Sequence, residues 1–431
     1  MKHRVAVVGA GASGLAAALE AARGGAHVIV LEKNRFAGRK ILASGGGKCN
    51  LTNVKISADR FHCGDAAFIK AALSGYPAEE ILRYFGNLGL LTSREPDGRV
   101  FARCGKAFAV VEVLQNALKA FKTEMFTGYE AVSVSHHGKR FLIRAEESPV
   151  HWPGKGKTSS RSRLKTMEFA ADRVILACGG AGYPQLGGGH SGYSLASSLG
   201  HKVTRLTPAI VPLCVKEHFI KELQGLRAEA SLRVFFREKE IISAKGEILF
   251  TEYGISGPAA LDVSRETVKA LACNAGKAVC RMNLFPDMRH VELRHFLARR
   301  WSLLAGRPLA DFFAGMCDAK MGKVMLHHLR LPPETIISAA GRHASDRLAE
   351  LMESCEFEIE GARSWNEAMV TAGGVSLEDV NPHTFASEKT PGLYLTGELL
   401  DVDGISGGYN LHFAWLSGIS AGRHSSSPSR A

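Results

Sequence analysis

The run Arg4-Val-Ala-Val-Val-Gly9-Ala-Gly11-Ala12-Ser13-Gly14, continued through Arg23 and then by Ala26-His-Val-Ile-Val-Leu31-Glu32, decides the fold. Arg4 to Val8 is a short apolar strand feeding a glycine turn. Ser13 to Arg23 is rich in Ala and Leu at helical spacing, and Ala26 to Leu31 is a second strand ending at Glu32. Strand, turn, helix and strand within about 30 residues make a βαβ unit. Gly9 permits the tight turn, Gly11 lets backbone approach a pyrophosphate, and Gly14 lets helix and strand pack closely. The helix N-terminus then faces the phosphates. Glu32 is placed to accept hydrogen bonds from adenosine ribose hydroxyls, and its charge would repel the 2′-phosphate of NADP. Dinucleotide binding follows from the register of all four parts, since three glycines alone would be a weak signal.

Composition bounds the rest. The chain has 431 residues, about three domains' worth, with 45% hydrophobic and 22% charged residues, which excludes wholesale disorder. Lys and Arg total 54 against 42 Asp and Glu, a formal net charge of +12 that suits nucleic acid, an anionic membrane or an anionic ligand. The longest charge-free stretch, Val174 to Gly200, holds eight glycines and a proline and therefore does not read as a membrane span. Met1-Lys-His-Arg followed by Val5 to Leu19 superficially resembles a secretory leader, but its glycine core reads better as a nucleotide-binding turn. Nine scattered cysteines without a CxxC pair fit reduced thiols and a cytoplasmic setting. None of the 17 histidines stands at metal-ligand spacing, so no metal site is expected.

Along the chain, residues 34–65 are glycine-rich and irregular, and 66–125 read as helices broken at Arg94-Glu-Pro-Asp-Gly98. Tyr129 to Val134 and Arg140 to Ala145 alternate like a hairpin. Residues 148–170 are a basic insertion loop, in which Lys155, Lys157, Arg161, Arg163 and Lys165 face one acid, Glu168. Short alternating runs dominate 201–285 and predict a β domain. Leu293, Phe296, Leu297, Trp301 and Leu304 predict helix within 286–356. The C-terminal part alternates again, and the serine-rich end from His424 reads as a frayed tail.

Three further glycine segments extend the first. Lys33 leads to Gly38-Arg39-Lys40 and then Ser44-Gly45-Gly46-Gly-Lys-Cys-Asn50-Leu-Thr-Asn53, which offers amide donors and cationic side chains along a flat, anionic ligand. An NAD site does not require such a loop, whereas FAD needs its flavin end threaded past the βαβ unit. Arg173 to Ala177 is a strand ending in Cys178-Gly179-Gly180. Gly392-Leu-Tyr-Leu-Thr-Gly397-Glu398 precedes Asp401 and Gly407-Gly408-Tyr409-Asn410, which open the last helix. A carboxylate after a short strand suits ribityl hydroxyls, and a glycine turn opening a helix can aim amides at the flavin N1–C2=O region.

Gly38 to Asn53, Thr251-Glu-Tyr-Gly-Ile-Ser-Gly-Pro258 and Gly397 to Asn410 resemble motifs of a bacterial family of FAD flavoproteins. Its relatives include aminoacetone oxidases and bile-acid enone reductases. The resemblance spans nearly the whole chain. It implies an α/β fold of the two-dinucleotide-fold flavoprotein type: a Rossmann-type FAD domain over 1–200 and 357–431, interrupted by a small β-barrel-like domain (201–285) and a helical domain (286–356). It also implies that Ala131 or Val132 in the hairpin lies near the adenine, and it extends the cofactor set to Ala177 and Leu411. Lys48 stands where the family usually has Arg, and Cys178 where it usually has Thr.

The chemistry expected is hydride transfer between a small organic substrate and FAD, with NAD(P)H docking transiently, or oxygen, as the other redox partner. No second GxGxxG unit with its own acid suggests a resident NAD(P)H domain. Cys49 lies in the flavin loop but has no partner cysteine nearby in sequence, which favours packing over redox. Tyr409, Asn410 and His412 stand where side chains could line the isoalloxazine. The net charge and the 148–170 insertion keep open an alternative, a nucleic-acid-associated flavoprotein such as an RNA-modifying enzyme.

Overall fold

The computed structural model describes residues 3–138, 140–148, 165–273 and 275–427. Most of the basic insertion, 149–164, lies outside the described residues. The chain divides into two compact units, Met1–Leu206 with Val370–Ala431, and Thr207–Met369.

The first unit is built on a five-stranded parallel sheet. β1 (Arg4–Val8) is central, flanked by β2 (His27–Glu32) with Val5 opposite Val28, and by Arg173–Leu176 with Val5 opposite Arg173. Leu393–Leu395 and Glu124–Thr127 form the edges. Val5, Ala6 and Val7 are fully buried, as expected where helices cover both faces of a parallel sheet. Helix α1 (Ala12–Arg23) packs along the last helix, Tyr409–Ser426, so the two ends of the chain share one core. The approach is close enough that a side chain at Gly418 would overlap the Ser13 carbonyl, and one at Gly422 the Ala17 carbonyl. Trp415 on the last helix is fully buried, donates its indole N–H to the Leu51 carbonyl at 3.0 Å and meets Phe85 edge-on at 5.0 Å. Truncating such an aromatic costs roughly 3–5 kcal/mol.

This helix reaches Ser426, inside the serine-rich stretch from His424 that the sequence marks as a frayed tail, of which 428–431 lie outside the described residues. Ser425 is buried and donates to the Gly422 carbonyl, and the Arg173 guanidinium donates to the carbonyls of His424 and Ser425 at 3.0 and 2.7 Å. Those orphan C-terminal carbonyls are thus satisfied from a strand about 250 residues away, a contact invisible to local composition. Within 66–125 the turn at Asp97-Gly98 joins a short hairpin, Thr92–Arg94 with Arg99–Ala102, and Arg99–Ala102 also pairs with Asn50–Asn53. The hairpin Tyr129–His137 with Arg140–Glu147 is present and gains a third strand, Thr166–Ala171.

The second unit is a closed antiparallel barrel of six strands, in the order Leu213–Val215, Gly254–Ser256, Lys239–Thr251, Arg227–Phe236, Ala278–Asn283 and Cys355–Ala362. The barrel-like expectation is therefore borne out. Helices Pro258–Cys273, His290–Leu303, Ala319–His328 and Ile337–Glu353 belong to the same unit. The first of them falls inside a stretch whose alternating runs suggest strand alone. One apolar cluster includes barrel residues Leu232, Phe250 and Phe357 together with helix residues Leu297, Met325 and Leu348. Gly257 makes the strand-to-helix turn at Ser256-Gly257-Pro258, with φ of 87°.

Candidate cofactor site

The three glycines of the first turn have three distinct surroundings. Gly9 has φ of 102°, donates its amide to the Leu31 carbonyl at 2.7 Å, and lies so near Ala177 that any side chain would overlap the Ala177 carbonyl. A side chain at Gly14 would overlap the Gly9 carbonyl. Gly11 is the opposite case: a Cβ there would meet no protein atom within 4 Å. Gly11 caps α1, whose first intrahelical bond runs from the Leu15 amide to the Gly11 carbonyl at 3.0 Å. The amides of Ala12, Ser13 and Gly14 are therefore the turn's outward donors, beside open space.

Glu32 is buried at the end of β2. Its Oε2 accepts the Ala10 amide at 2.7 Å, and its Oε1 accepts the amide and side-chain nitrogen of Asn34 at 2.8 and 2.7 Å. Asn34, which sequence spacing does not mark, also accepts from the Arg39 guanidinium at 3.1 Å. Lys33 stands 3.7 Å from Glu130. In the hairpin, Ala131 is buried, and the register skips the exposed Val132 at a bulge before Ser133.

The second segment opens at Gly38, whose left-handed conformation (φ 74°) caps α2 (Arg39–Ala43) and whose amide donates to the Ala10 carbonyl at 2.8 Å. Ser44 donates to the Ile41 carbonyl at 2.7 Å. Gly45, Gly46, Gly47 and Cys49 all have positive φ, and a Cβ at Gly46 would meet nothing within 4 Å. Cys49 is fully buried, and burial pushes its thiol up to about 12, so it carries no thiolate at neutral pH. Asn50 leaves its buried Oδ1 without a hydrogen-bond partner, close against Gly408.

The third and fourth segments interlock. Ala177 is buried, Gly179 is left-handed with open space beside it, and Gly180 lies against Glu398 and Thr371. Gly397 donates to the Ser417 hydroxyl at 2.9 Å and abuts Ser13. Glu398 is bonded through both oxygens, to the Thr371 amide at 3.0 Å and to the Lys40 ammonium at 2.5 Å. Asp401 accepts from the Thr204 hydroxyl at 2.9 Å. Gly407 (φ 120°) accepts from the Asn53 side chain at 3.0 Å, and Gly408 (φ 100°) caps the last helix.

In that helix's first turn, Tyr409 is buried edge-on to Phe61, Leu411 is half-buried, and Asn410 clamps both backbone groups of Gly404 at 2.8 and 2.7 Å. His412 does not line an open cleft. It is fully buried, with Nδ1 2.8 Å from the Thr52 hydroxyl and Nε2 2.9 Å from the Tyr76 carbonyl. Nε2 must donate to that carbonyl, so Nδ1 accepts from Thr52. Burial lowers the imidazole to about 4, and it stays neutral.

The structure thus brings the four glycine segments together at the N-terminus of α1, with open faces at Gly11, Gly46 and Gly179 and an unmet acceptor at Asn50. An extended anionic ligand with hydrogen-bond donors fits that set, as FAD does with its pyrophosphate, ribose hydroxyls and flavin N3–H. Among the described residues there is no group of His, Cys, Asp and Glu that could hold a metal, and no helix long and apolar enough to cross a membrane.

Residues 3–424 match the family described as the HI0933-like protein Rossmann domain. The chain is 35% identical over 430 residues to a 3-dehydro-bile acid Δ4,6-reductase of Clostridium scindens, covering 98% of each. It is 27% identical over 411 residues to a ribosomal RNA dihydrouridine synthase of Escherichia coli, covering 95% of each. A solved 3-ketosteroid Δ1-dehydrogenase from Sterolibacterium denitrificans shares the fold, with a TM-score of 0.51 at 13% identity and 99% of each chain covered. The chain belongs to the HI0933-like Rossmann family of FAD-dependent oxidoreductases.

Proposed function

We propose that this oxidoreductase reduces a carbon–carbon double bond conjugated to a carbonyl in a small organic substrate, with NAD(P)H as electron donor, in the cytoplasm. The cradle at Gly9–Gly14, open only at Gly11, carries the cofactor side of the reading. The amides opening α1 would hold the pyrophosphate, and Glu32, already oriented by Ala10 and Asn34, would take the adenosine ribose on its remaining lone pairs. Asn50 Oδ1 would accept a hydrogen bond from the flavin, and the N-terminus of the last helix would favour negative charge growing there. FAD, when bound, supplies the hydride. Saturating the double bond also takes one proton, and His412 does not deliver it, being sealed with both nitrogens engaged.

The substrate class rests on similarity to the bile-acid reductase, whose name describes loss of double bonds from a ring ketone. Uridine to dihydrouridine is the same chemistry, since the saturated bond is conjugated to a carbonyl, but that relative is less similar to this chain.

The test is anaerobic. Bound flavin is reduced with NADH and NADPH separately, and then a ring enone or uridine-containing RNA is added. Reoxidation by the enone, with two hydrogens gained by the product, is expected. Reoxidation by RNA alone would favour the nucleic-acid reading; if neither reoxidises the flavin and oxygen, admitted last, does so with peroxide formed, the protein would be an oxidase.

A further inference from the structure

Thr371 is 1% exposed and belongs to none of the four glycine segments, yet it bonds to two of them. Its hydroxyl oxygen accepts two consecutive backbone amides, Ala181 at 2.8 Å and Gly182 at 3.2 Å. Its own amide donates to Glu398 Oε1 at 3.0 Å, and the other Glu398 oxygen holds Lys40 at 2.5 Å. The Tyr193 phenol reaches the Glu398 carbonyl at 3.5 Å. Gly180 has no room for a side chain because the Thr371 hydroxyl and the Glu398 carboxylate fill the space beside it.

Two adjacent amides converging on one point form a small anion-binding concavity. Left without an acceptor, they would cost the desolvation of both groups or turn toward another partner. The Thr371 hydroxyl fills that role, so the turn after the Arg173–Leu176 strand keeps Gly179 left-handed and facing open space. Through Glu398 the same residue fixes Lys40, which belongs to the 38–53 loop.

We infer that Thr371 is a positioning residue for the cofactor site, holding the Gly179-Gly180 turn, Glu398 and Lys40 in one wall so that FAD meets a preformed surface. This rests on the FAD reading. Thr371 touches no reacting atom; it acts through the backbone of 180–182 and through Glu398. A valine is nearly isosteric and keeps the methyl packing but offers no acceptor. A serine keeps the acceptor and loses only the methyl.

The experiment compares Thr371→Val with Thr371→Ser in the full chain. FAD affinity is read by titrating apoprotein, and amide hydrogen exchange is read over residues 177–189 with and without FAD. The valine variant should bind FAD at least tenfold more weakly and exchange faster over 177–189, while the serine variant stays within about threefold of wild type in affinity. Should the valine variant fail to fold, Thr371→Ala, which leaves room for a water, takes its place with the same expected direction. Wild-type FAD affinity in the valine variant would overturn the inference. So would a serine variant as impaired as valine, because packing and not the hydroxyl would then be responsible. Wild-type protein that binds no FAD would defeat the cofactor reading instead. The exchange rates would still judge whether Thr371 holds the turn.

Discussion

The Gly9–Gly14 turn and the Gly397–Gly408 segment meet at Ser13, yet their glycines answer to different neighbours. In the first, backbone presses on backbone: Gly14 against Gly9, and Gly9 against Ala177 at the end of the adjacent strand. In the second, the neighbours are mostly side chains and backbone from remote parts of the chain: Ser13 at Gly397, Tyr409 and Phe61 at Gly404, Asn50 and Thr52 at Gly408. Gly14 is fixed within the βαβ unit itself, while Gly9 already answers to Ala177, 168 positions further along the chain. A glycine demanded by tertiary packing is fixed by residues hundreds of positions away. The glycines that touch protein in either segment are there for the fold, while Gly11, which touches nothing, leaves an open face.

The largest break of this comparison is Gly14→Val. The added side chain would overlap the Gly9 carbonyl, and we expect a loss of roughly 3 kcal/mol or more in thermal or denaturant unfolding. A variant as stable as wild type would contradict the close-packed reading of that turn.

Next is the acid response of His412, which ties the last helix to Thr52 and Tyr76. Its folded-state value, about 4, lies below the ordinary 6.5, so the unfolded chain takes up the proton first. Its contribution to stability is complete above about pH 6.5 and is lost as pH falls toward about 4, by about 3 kcal/mol at most. Unfolding free energies measured across that window should show the decline in wild type and a shallower one in His412→Gln. Equal slopes would contradict it.

A smaller effect is expected from Asn410→Leu, which leaves the Gly404 amide and carbonyl without their clamp and should cost about 2 kcal/mol in unfolding. The mildest test is chemical. Cys104 is exposed and should alkylate readily at neutral pH, whereas Cys49, fully buried with its thiol pushed up to about 12, should react only on unfolding. Rapid labelling of Cys49 in folded protein would reopen a redox role for it.

The same contrast explains what could be read without coordinates. The βαβ unit and the barrel strands within 227–283 carry their periodicity in adjacent residues, so spacing reveals them, but the barrel strand Cys355–Ala362 falls outside the 201–285 stretch that reads as a β domain. Asn34, Thr371 and the Arg173 cap on the last helix carry no local signal. Thr371 and Arg173 owe their places to partners brought near only by the fold, whereas Asn34 is held by Glu32 and Arg39, neighbours in sequence whose spacing follows no motif. His412 shows the reverse error: its position beside Tyr409 and Asn410 suggests a cleft, but helical geometry turns it inward to Thr52 and Tyr76. Helix Pro258–Cys273 was hidden by the alternating strands around it.

In the proposed reading the open face at Gly11 receives FAD. The most direct measurement is titration of apoprotein with FAD, comparing wild type with Gly11→Leu while following thermal stability. Wild type should take up one FAD per chain. The leucine variant should lose FAD affinity by about a hundredfold or more with its apoprotein stability within about 1 kcal/mol of wild type, because a Cβ at Gly11 meets no protein atom within 4 Å and faces open space. Unchanged FAD uptake by the leucine variant, or none by wild type, would contradict the account.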